Sequence, residues 1–289
     1  APAMNPDMWN NKVSQSNVKK LVEGDIDIIG PNYGSHACGD IGYGRMTNPE
    51  QIIEKIKSKE KTSELQGVKI LVTAGPTREP IDPVRFMSNY SSGKMGYEIG
   101  IAAKKMGAYV KMISGPVSLN PIKDIETEFI ETSDEMYQAV MSNIEGFDIL
   151  ISTAAIADYK PVDYSLSKYK KSENNISIKF KRGKDIISVV SSKYQNIYTV
   201  GFAAETDLLK ENAINKLQKK NLNMIVGNIA NHELKLGFES DFNEVTIFSK
   251  RQTIELPRAK KSNIAKSILK AIANEISSNK IQLVNKDVK

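Results

Sequence analysis

Val68-Lys-Ile-Leu-Val-Thr-Ala-Gly-Pro-Thr-Arg-Glu-Pro-Ile-Asp-Pro-Val-Arg85, with Ser88-Asn-Tyr-Ser-Ser-Gly-Lys-Met-Gly96 close behind, decides how this chain is read. The apolar run 68–72 predicts a strand, and a helical pattern starts near Gly93. A strand, a glycine-bearing turn, small hydroxyls and a helix N-terminus together suit an anionic phosphate. Glycine lets the backbone approach a ligand closely, and the unpaired N–H groups of a first helical turn point at it. The polar insert between strand and helix is longer than an ordinary dinucleotide loop. Its Arg78, Asp82, Arg85 and Asn89 are expected to crowd the carboxyl edge of that strand, where open α/β sheets bind ligands.

From Gly67 onward, strands and helices alternate. This predicts an α/β fold, a Rossmann-like and mostly parallel sheet with helices on both faces. Strands are expected at 68–74, 108–113, 125–130, 147–154, 198–203 and 223–227, with a closing hairpin at 243–256. The helix from Lys94 carries Met95, Ile99, Ala102 and Met106 as an apolar stripe. Further helices are expected at 133–144, 207–220 and 258–277, the last with Ile264, Ile268, Ile272 and Ile276. Alternating residues at 176–181 predict a half-exposed strand. Residues 1 to about 50 show little periodicity. A short helix follows to about residue 61, and the charged run 58–64 reads as linker. The domain reading is 1–60, a linker at 61–66, and 67–289.

The chain has 289 residues, 40% hydrophobic and 26% charged, with a formal net charge of +6. That describes an ordinary soluble protein, and the charge suits small anions as readily as nucleic acid. The longest apolar run, 149–157, is far short of a membrane span and is broken by Ser152 and Thr153. With no basic-then-apolar leader, a cytoplasmic location is expected. The chain opens inside what reads as a motif, so it is expected to be a piece of a longer protein. One cysteine, Cys38, excludes an internal disulfide, and two histidines, His36 and His232, argue against a histidine zinc site.

Two tempting motifs fail. Ser92-Gly-Lys-Met95 lacks the upstream glycine and the Ser/Thr of a Walker A loop, and 39–44 has its glycines misplaced for a dinucleotide turn. Other constellations are stronger. Ser152-Thr-Ala-Ala-Ile-Ala-Asp158 ends the most apolar strand, where Asp158 either caps a turn or holds a divalent cation bridging to phosphate. Lys168, Lys170, Lys171, Lys179, Lys181, Arg182 and Lys184 form a basic stretch. Such a run is ordinarily a solvated face, but here it interrupts the α/β pattern as a flap over a triphosphate would. Gly201-Phe-Ala-Ala-Glu-Thr206 ends another strand, with Phe202 placed to stack on a base. Lys216 and Lys220 share one helix face.

At these residues the chain resembles the bifunctional coenzyme A biosynthesis enzymes, which join phosphopantothenoylcysteine decarboxylase to phosphopantothenate–cysteine ligase. The ligase resemblance spans about 67–280 and rests on five motifs in order. They are the 73–85 run, Asn89-x-Ser-Ser-Gly-Lys-Met-Gly, Ala157-Asp158-Tyr, Lys168-x-Lys-Lys171 and 201–206. Pro2-Ala-Met-Asn-Pro-Asp-Met-Trp9 is similar to the decarboxylase substrate motif, with Asn5 in it. Residues 34–45 are similar to its active-site flap, where Cys38 would be the proton donor.

The resemblance implies that CTP activates 4′-phosphopantothenate as an acyl-cytidylate, which L-cysteine then converts to an amide. It implies Mg²⁺ at Asp158 and CTP contacts from Ser152, Thr153, Ala154, Asp158, Lys168, Lys184, Asp185, Ile186, Ile187, Phe202, Lys216 and Lys220. Asn89 and Lys168 would be catalytic, and Arg85, Ser91, Ser92 and Gly93 would bind substrate. FMN would serve only the decarboxylase of the full-length protein. The partners implied are small molecules, with no nucleic acid or membrane. A homodimer through the ligase domain is implied, with higher assembly at full length. Arg182-Gly-Lys184 stands where the family often has Lys-Asn-Pro. The competing classes are a nicotinamide oxidoreductase, which lacks its Gly-x-Gly-x-x-Gly turn here, and a basic nucleic-acid binder, which would show steep salt dependence.

Overall fold

The computed structural model describes residues 1–24, 26–37, 39–61, 64–169, 177–205, 207–229 and 240–284. They divide into two compact units, Ala1–Ser63 and Glu64–Lys289.

In the first unit, α1 (Pro6–Asn10) is capped by Asn5, whose side chain accepts from Asp7 N–H, with Pro6 in the first turn. The helix α2 (Lys12–Glu23) is capped by Asn11. Strands β1 (Asn32–Ser35) and β2 (Ile41–Arg45) form an antiparallel pair, with Tyr33 and Tyr43 edge to face at 5.3 Å. Helix α3 (Pro49–Lys61) follows. The sequence reading found no element at α2, and neither α1 nor α2 buries a residue. The charged run read as linker is helical through Lys61. Lys and Glu propagate a solvated helix well.

The second unit is built on one eight-stranded sheet. After β3 (Lys69–Ala74), the insert forms a small hairpin of β4 (Arg78–Pro80) and β5 (Phe86–Ser88) before α4 (Lys94–Lys105). Then come β6 (Tyr109–Ser114), β7 (Glu126–Phe129), α5 (Ser133–Asn143) and β8 (Ile149–Ser152). A second small hairpin pairs β9 (Tyr159–Pro161) with β10 (Phe180–Arg182). The chain continues through α6 (Ile186–Lys193), β11 (Tyr198–Glu205), α7 (Leu209–Lys219) and β12 (Met224–Ile229). It ends with β13 (Phe242–Ser249), β14 (Thr253–Lys260) and α8 (Lys261–Val284).

The six parallel strands lie in the order β7-β6-β3-β8-β11-β12, and β13 and β14 extend the sheet antiparallel. Numbered among themselves, the parallel strands read 3-2-1-4-5-6, the doubly wound order whose direction reverses between the first and fourth strands. Here those are β3 and β8.

Both faces of the sheet are covered, as the near-continuous apolar strands require. Ile70, Val72, Ile149, Ile151 and Val200 pack with Ile99 of α4 and Ile264, Ile268 and Ile272 of α8. Leu71, Ile113 and Leu150 face the other way, onto Met136 and Val140 of α5, Val190 of α6 and Leu217 of α7. Each such side chain, fully buried, contributes about 1.5–3 kcal/mol.

Three expectations shift. The strand expected at 176–181 is β10 at 180–182, and residue 176 lies outside the described residues. The last helix starts at Lys261 because β14 runs to Lys260. The buried face of α4 is Gly96, Ile99, Gly100 and Ala103, whereas Met95, Ala102 and Met106 are only partly covered. A Cβ on Gly96 would lie 2.4 Å from Thr153 Oγ1 and 2.7 Å from Ala74 Cβ, so glycine lets α4 press against the strand ends. Among the described residues no helix is long and apolar enough to cross a membrane.

Candidate active site

The crevice between β3 and β8 is zipped together by backbone. Ala155 N–H donates to Gly75 O at 2.9 Å, Thr153 N–H to Thr73 O at 3.2 Å, and Pro76 bridges to Ala155. The buried Thr77 hydroxyl accepts from Ala157 N–H at 3.0 Å. Asn89 adds a side-chain clamp, its amide donating to Ala155 O at 3.1 Å and Ile156 O at 3.2 Å. The loop after β8 is thereby held against the insert, with its other side to the ligand rim.

The insert's charges work inward. Buried Glu79 accepts from Ser133 N–H at 2.9 Å, pinning β4 to the start of α5. Buried Asp82 accepts from the Val84 and Arg85 N–H groups, both at 2.8 Å, and pairs with the Arg85 guanidinium at 3.1 Å. Burial opposes ionisation of Asp82, but the Val84, Tyr169 and Arg85 N–H donors and the guanidinium outweigh it and hold the carboxyl below its usual range. Arg78 lies 3.8 Å from Glu131 and stacks over Phe86 at 4.6 Å. The crowding expected at the rim is thus largely scaffold.

The cavity itself, about 330 Å³, opens over the carboxyl ends of β8, β11 and β12. Ser91, Ser92, Gly93, Ser152, Thr153, Ala154, Asp158, Lys184, Asp185, Ile186, Ile187, Phe202, Lys216 and Lys220 all line it. Gly93 sits at the cap of α4 in a left-handed conformation (φ 74°) and offers no side-chain cap. Asp185 caps α6 through Ser188 N–H and pairs with Lys220 at 2.9 Å. Burial would raise Asp185, yet the Lys220 ammonium and Ser188 keep its carboxyl below the ordinary range. Lys216 pairs with Glu205 at 2.5 Å, and Lys184 lies over the Tyr137 ring at 4.0 Å. Phe202 packs on the face of the sheet that carries α4 and α8. Asp158 is exposed, and its backbone carbonyl accepts from Gly183 N–H at 2.8 Å.

Other expected residues stand elsewhere. Asn89 and Arg85 support the walls without lining the cavity. Lys168 is exposed and does not line it; its neighbours Ser165 and Tyr169 donate backbone N–H groups to Ile81 O and Asp82. Asn5 belongs to the first unit, where its amide donates to Asp40 at 3.1 Å. Cys38, Lys170, Lys171, Thr206 and His232 lie outside the described residues.

Sequence reasoning missed Lys94, Asn228, Asn243 and Lys261, which also line the cavity. Lys94 pairs with Asp241 at 2.7 Å. Lys261 is only 4% exposed, and burial together with the Lys94 charge pushes it down to about 8, against the pull of Asp241. A signal was present. A hairpin after β12 returns the chain to the carboxyl rim, so a helix following it starts there.

The comparisons agree with this architecture. The family profile described as "DNA/pantothenate metabolism flavoprotein C-terminal domain" matches residues 65–276, and the one described as "Flavoprotein" matches residues 1–61. The chain is 40% identical over 275 residues to the coenzyme A biosynthesis bifunctional protein CoaBC of Vibrio vulnificus, covering 94% of this chain and 68% of that one. Against the protein so named in Bacillus subtilis it is 41% identical over 279 residues, covering 94% and 68%. A crystal structure of the C-terminal domain of a CoaBC protein superposes with a TM-score of 0.64 at 40% identity, covering 75% of this chain and 99% of that one. The chain belongs to the bifunctional coenzyme A biosynthesis family, CoaBC.

Proposed function

We propose that the second unit joins 4′-phosphopantothenate to L-cysteine at the expense of CTP, and that the first unit is the end of the FMN-dependent decarboxylase half of a longer protein. The observation that carries the ligase reading is the cavity at the sheet's switch point. Five lysines, an aromatic ring, two carboxylates and the start of α4 converge on it, and two polyanionic substrates would need such a set.

In this reading the carboxylate of phosphopantothenate attacks the α-phosphate of CTP, the bond to the β-phosphate breaks, and pyrophosphate leaves. The amine of cysteine then attacks the acyl carbon and expels CMP, with one proton lost from nitrogen. Lys184, Lys216 and Lys220 offset phosphate charge, and Phe202 offers a face for the base. Asn89 holds the Ala155–Ile156 carbonyls and so fixes the wall against which the acyl-cytidylate would lie, a positioning role. Lys168 would reach the nucleotide from the segment beside the rim.

Mg²⁺ typically binds through one or two carboxylates plus substrate phosphates and water. Among the described residues no three His, Cys, Asp or Glu side chains gather as a metal cage. Exposed Asp158 on the cavity wall suits that shared role, and a bound ion would neutralise phosphate charge. For FMN, Asn5 is already engaged with Asp40 and Cys38 lies outside the described residues, so no step is routed through flavin on this chain. Exposed Val84, Phe86 and Tyr90 on the β4–β5 insert support self-pairing of the ligase unit.

The test is pyrophosphate release from CTP or ATP with phosphopantothenate, with and without cysteine. Release with CTP in the absence of cysteine, with amide formed only once cysteine is added, is the expected result. Release that requires neither substrate, or that ATP supports equally, would remove the CTP reading.

A further inference from the structure

Lys168 is exposed and stands outside the cavity, so its place is set by the backbone that carries it. That backbone follows β9 and is tied to the β4–β5 insert at two points. Ser165 N–H donates to Ile81 O at 3.0 Å, and Tyr169 N–H donates to Asp82 Oδ2 at 3.3 Å. Between them the Ser165 hydroxyl donates to Ser167 O at 2.7 Å and folds the stretch. The two ties bracket Lys168, and their acceptors are consecutive residues of the insert.

Asp82 is 3% exposed and 87 positions from Tyr169 in the chain. Its Oδ1 accepts from the Val84 and Arg85 N–H groups, both at 2.8 Å, which closes the turn around Pro83. Such a turn engages one side-chain oxygen, and asparagine serves it as well as aspartate. Oδ2 does something the turn does not require. It accepts from the Arg85 guanidinium at 3.1 Å and from Tyr169 N–H. A carboxylate accepts on both oxygens, whereas a carboxamide of the same shape accepts on only one. One oxygen thus builds the insert, and the other holds the residue next to Lys168.

We propose that Asp82 is a positioning residue for ligation, its Oδ2 fixing where Lys168 stands through the Tyr169 backbone. The proposal rests on Lys168 acting on the nucleotide, as read above, and names the group that places it. Asp82 does not line the cavity, so its effect on the reaction passes through Lys168. Its removal therefore costs turnover only while Lys168 is present.

The experiment is a double-mutant cycle on the whole chain, read as kcat/KM for ligation in the native protein, Asp82→Asn, Lys168→Gln and the double variant. Asparagine keeps the oxygen that closes the turn and presents an amide to the two Oδ2 donors. Asp82→Asn alone should lose about tenfold or more, the scale of a slightly misplaced reacting group. The double variant should match Lys168→Gln within about twofold, since two residues acting as one unit do not add. Losses that multiply, as a purely structural carboxylate would give, overturn the proposal, and so does normal ligation by Asp82→Asn. Near-normal ligation by Lys168→Gln overturns the role read for that lysine and this proposal together. Should Asp82→Asn fail to fold, hydrogen exchange on the native chain decides. The Tyr169 amide should exchange about tenfold or more slowly than a solvated amide, and exchange at the solvated rate overturns the proposal.

Discussion

The two sides of the cavity treat their lysines differently. On the α6–α7 side, Lys216 and Lys220 each have a carboxylate of their own, Glu205 and Asp185, and both ammoniums remain partly open to solvent. On the α4–α8 side, Lys94 pairs with Asp241 at 2.7 Å and Lys261 is buried. Paired, half-exposed lysines cost little and are screened by salt. Burying an ammonium removes it from water, and that burial is the main reason Lys261 gives up its proton more readily than an ordinary lysine. The first side therefore keeps its lysines partly in water, whereas the second takes one of them out of it.

Three perturbations separate the sides, beginning with the loop that both depend on. Asn89→Asp replaces an amide that donates to two carbonyls with a carboxylate that repels them. Ligation should fall about 100-fold or more, the scale of a misplaced reacting group, while pyrophosphate release survives and acyl-cytidylate accumulates. Equal loss of both half-reactions in rapid-quench assays would remove its positioning role.

Lys220→Gln removes the partner of Asp185 and should weaken CTP about tenfold. Because Asp185 is held below its usual range with Lys220 beside it, this pairing is present above the ordinary carboxylate pKa and fades as acid titrates the folded carboxyl. Lys168→Gln is the companion variant. Strong loss of ligation would draw that exposed lysine over the cavity, and near-normal turnover would leave it as plain surface.

The smallest effect is on stability. Folded Lys261 loses its proton at about 8 and the unfolded residue at 10.5, so between those values the unfolded chain binds more protons and stability rises with pH. Lys261→Met should erase that rise and lift the melting temperature at pH 7 by about a few degrees. A lower melting temperature would show the lysine to be an ordinary structural element.

Much of this was legible in order along the chain. The apolar runs at 68–72 and 149–151 are central strands buried on both faces, and the isoleucines of α8 fall on one buried stripe. Residues read as cavity contacts, from Ser152 to Lys220, do meet around one cleft, with Lys168 outside it. Less legible was anything without a buried apolar side-chain face. The helix α2 has no buried face, and the contact surface of α4 runs through Gly96 and Gly100, which carry no hydropathy signal. The small hairpins β4–β5 and β9–β10 are held by polar and backbone contacts across long separations, such as Ser165 N–H to Ile81 O.

The sequence by itself determined the strands of the main sheet and the long helices packed on it, because local periodicity and capping residues act within a few positions. It also determined that turn glycines, hydroxyls and lysines would gather at strand ends. Only the tertiary structure decided which charges face inward. Glu79, Asp82 and Arg85 were spent on the scaffold and Lys261 was brought to the cavity, since burial and pairing depend on neighbours far away in the chain. The physical reason is that a charge's role follows from its solvation and its partner, and a linear order of residues specifies neither.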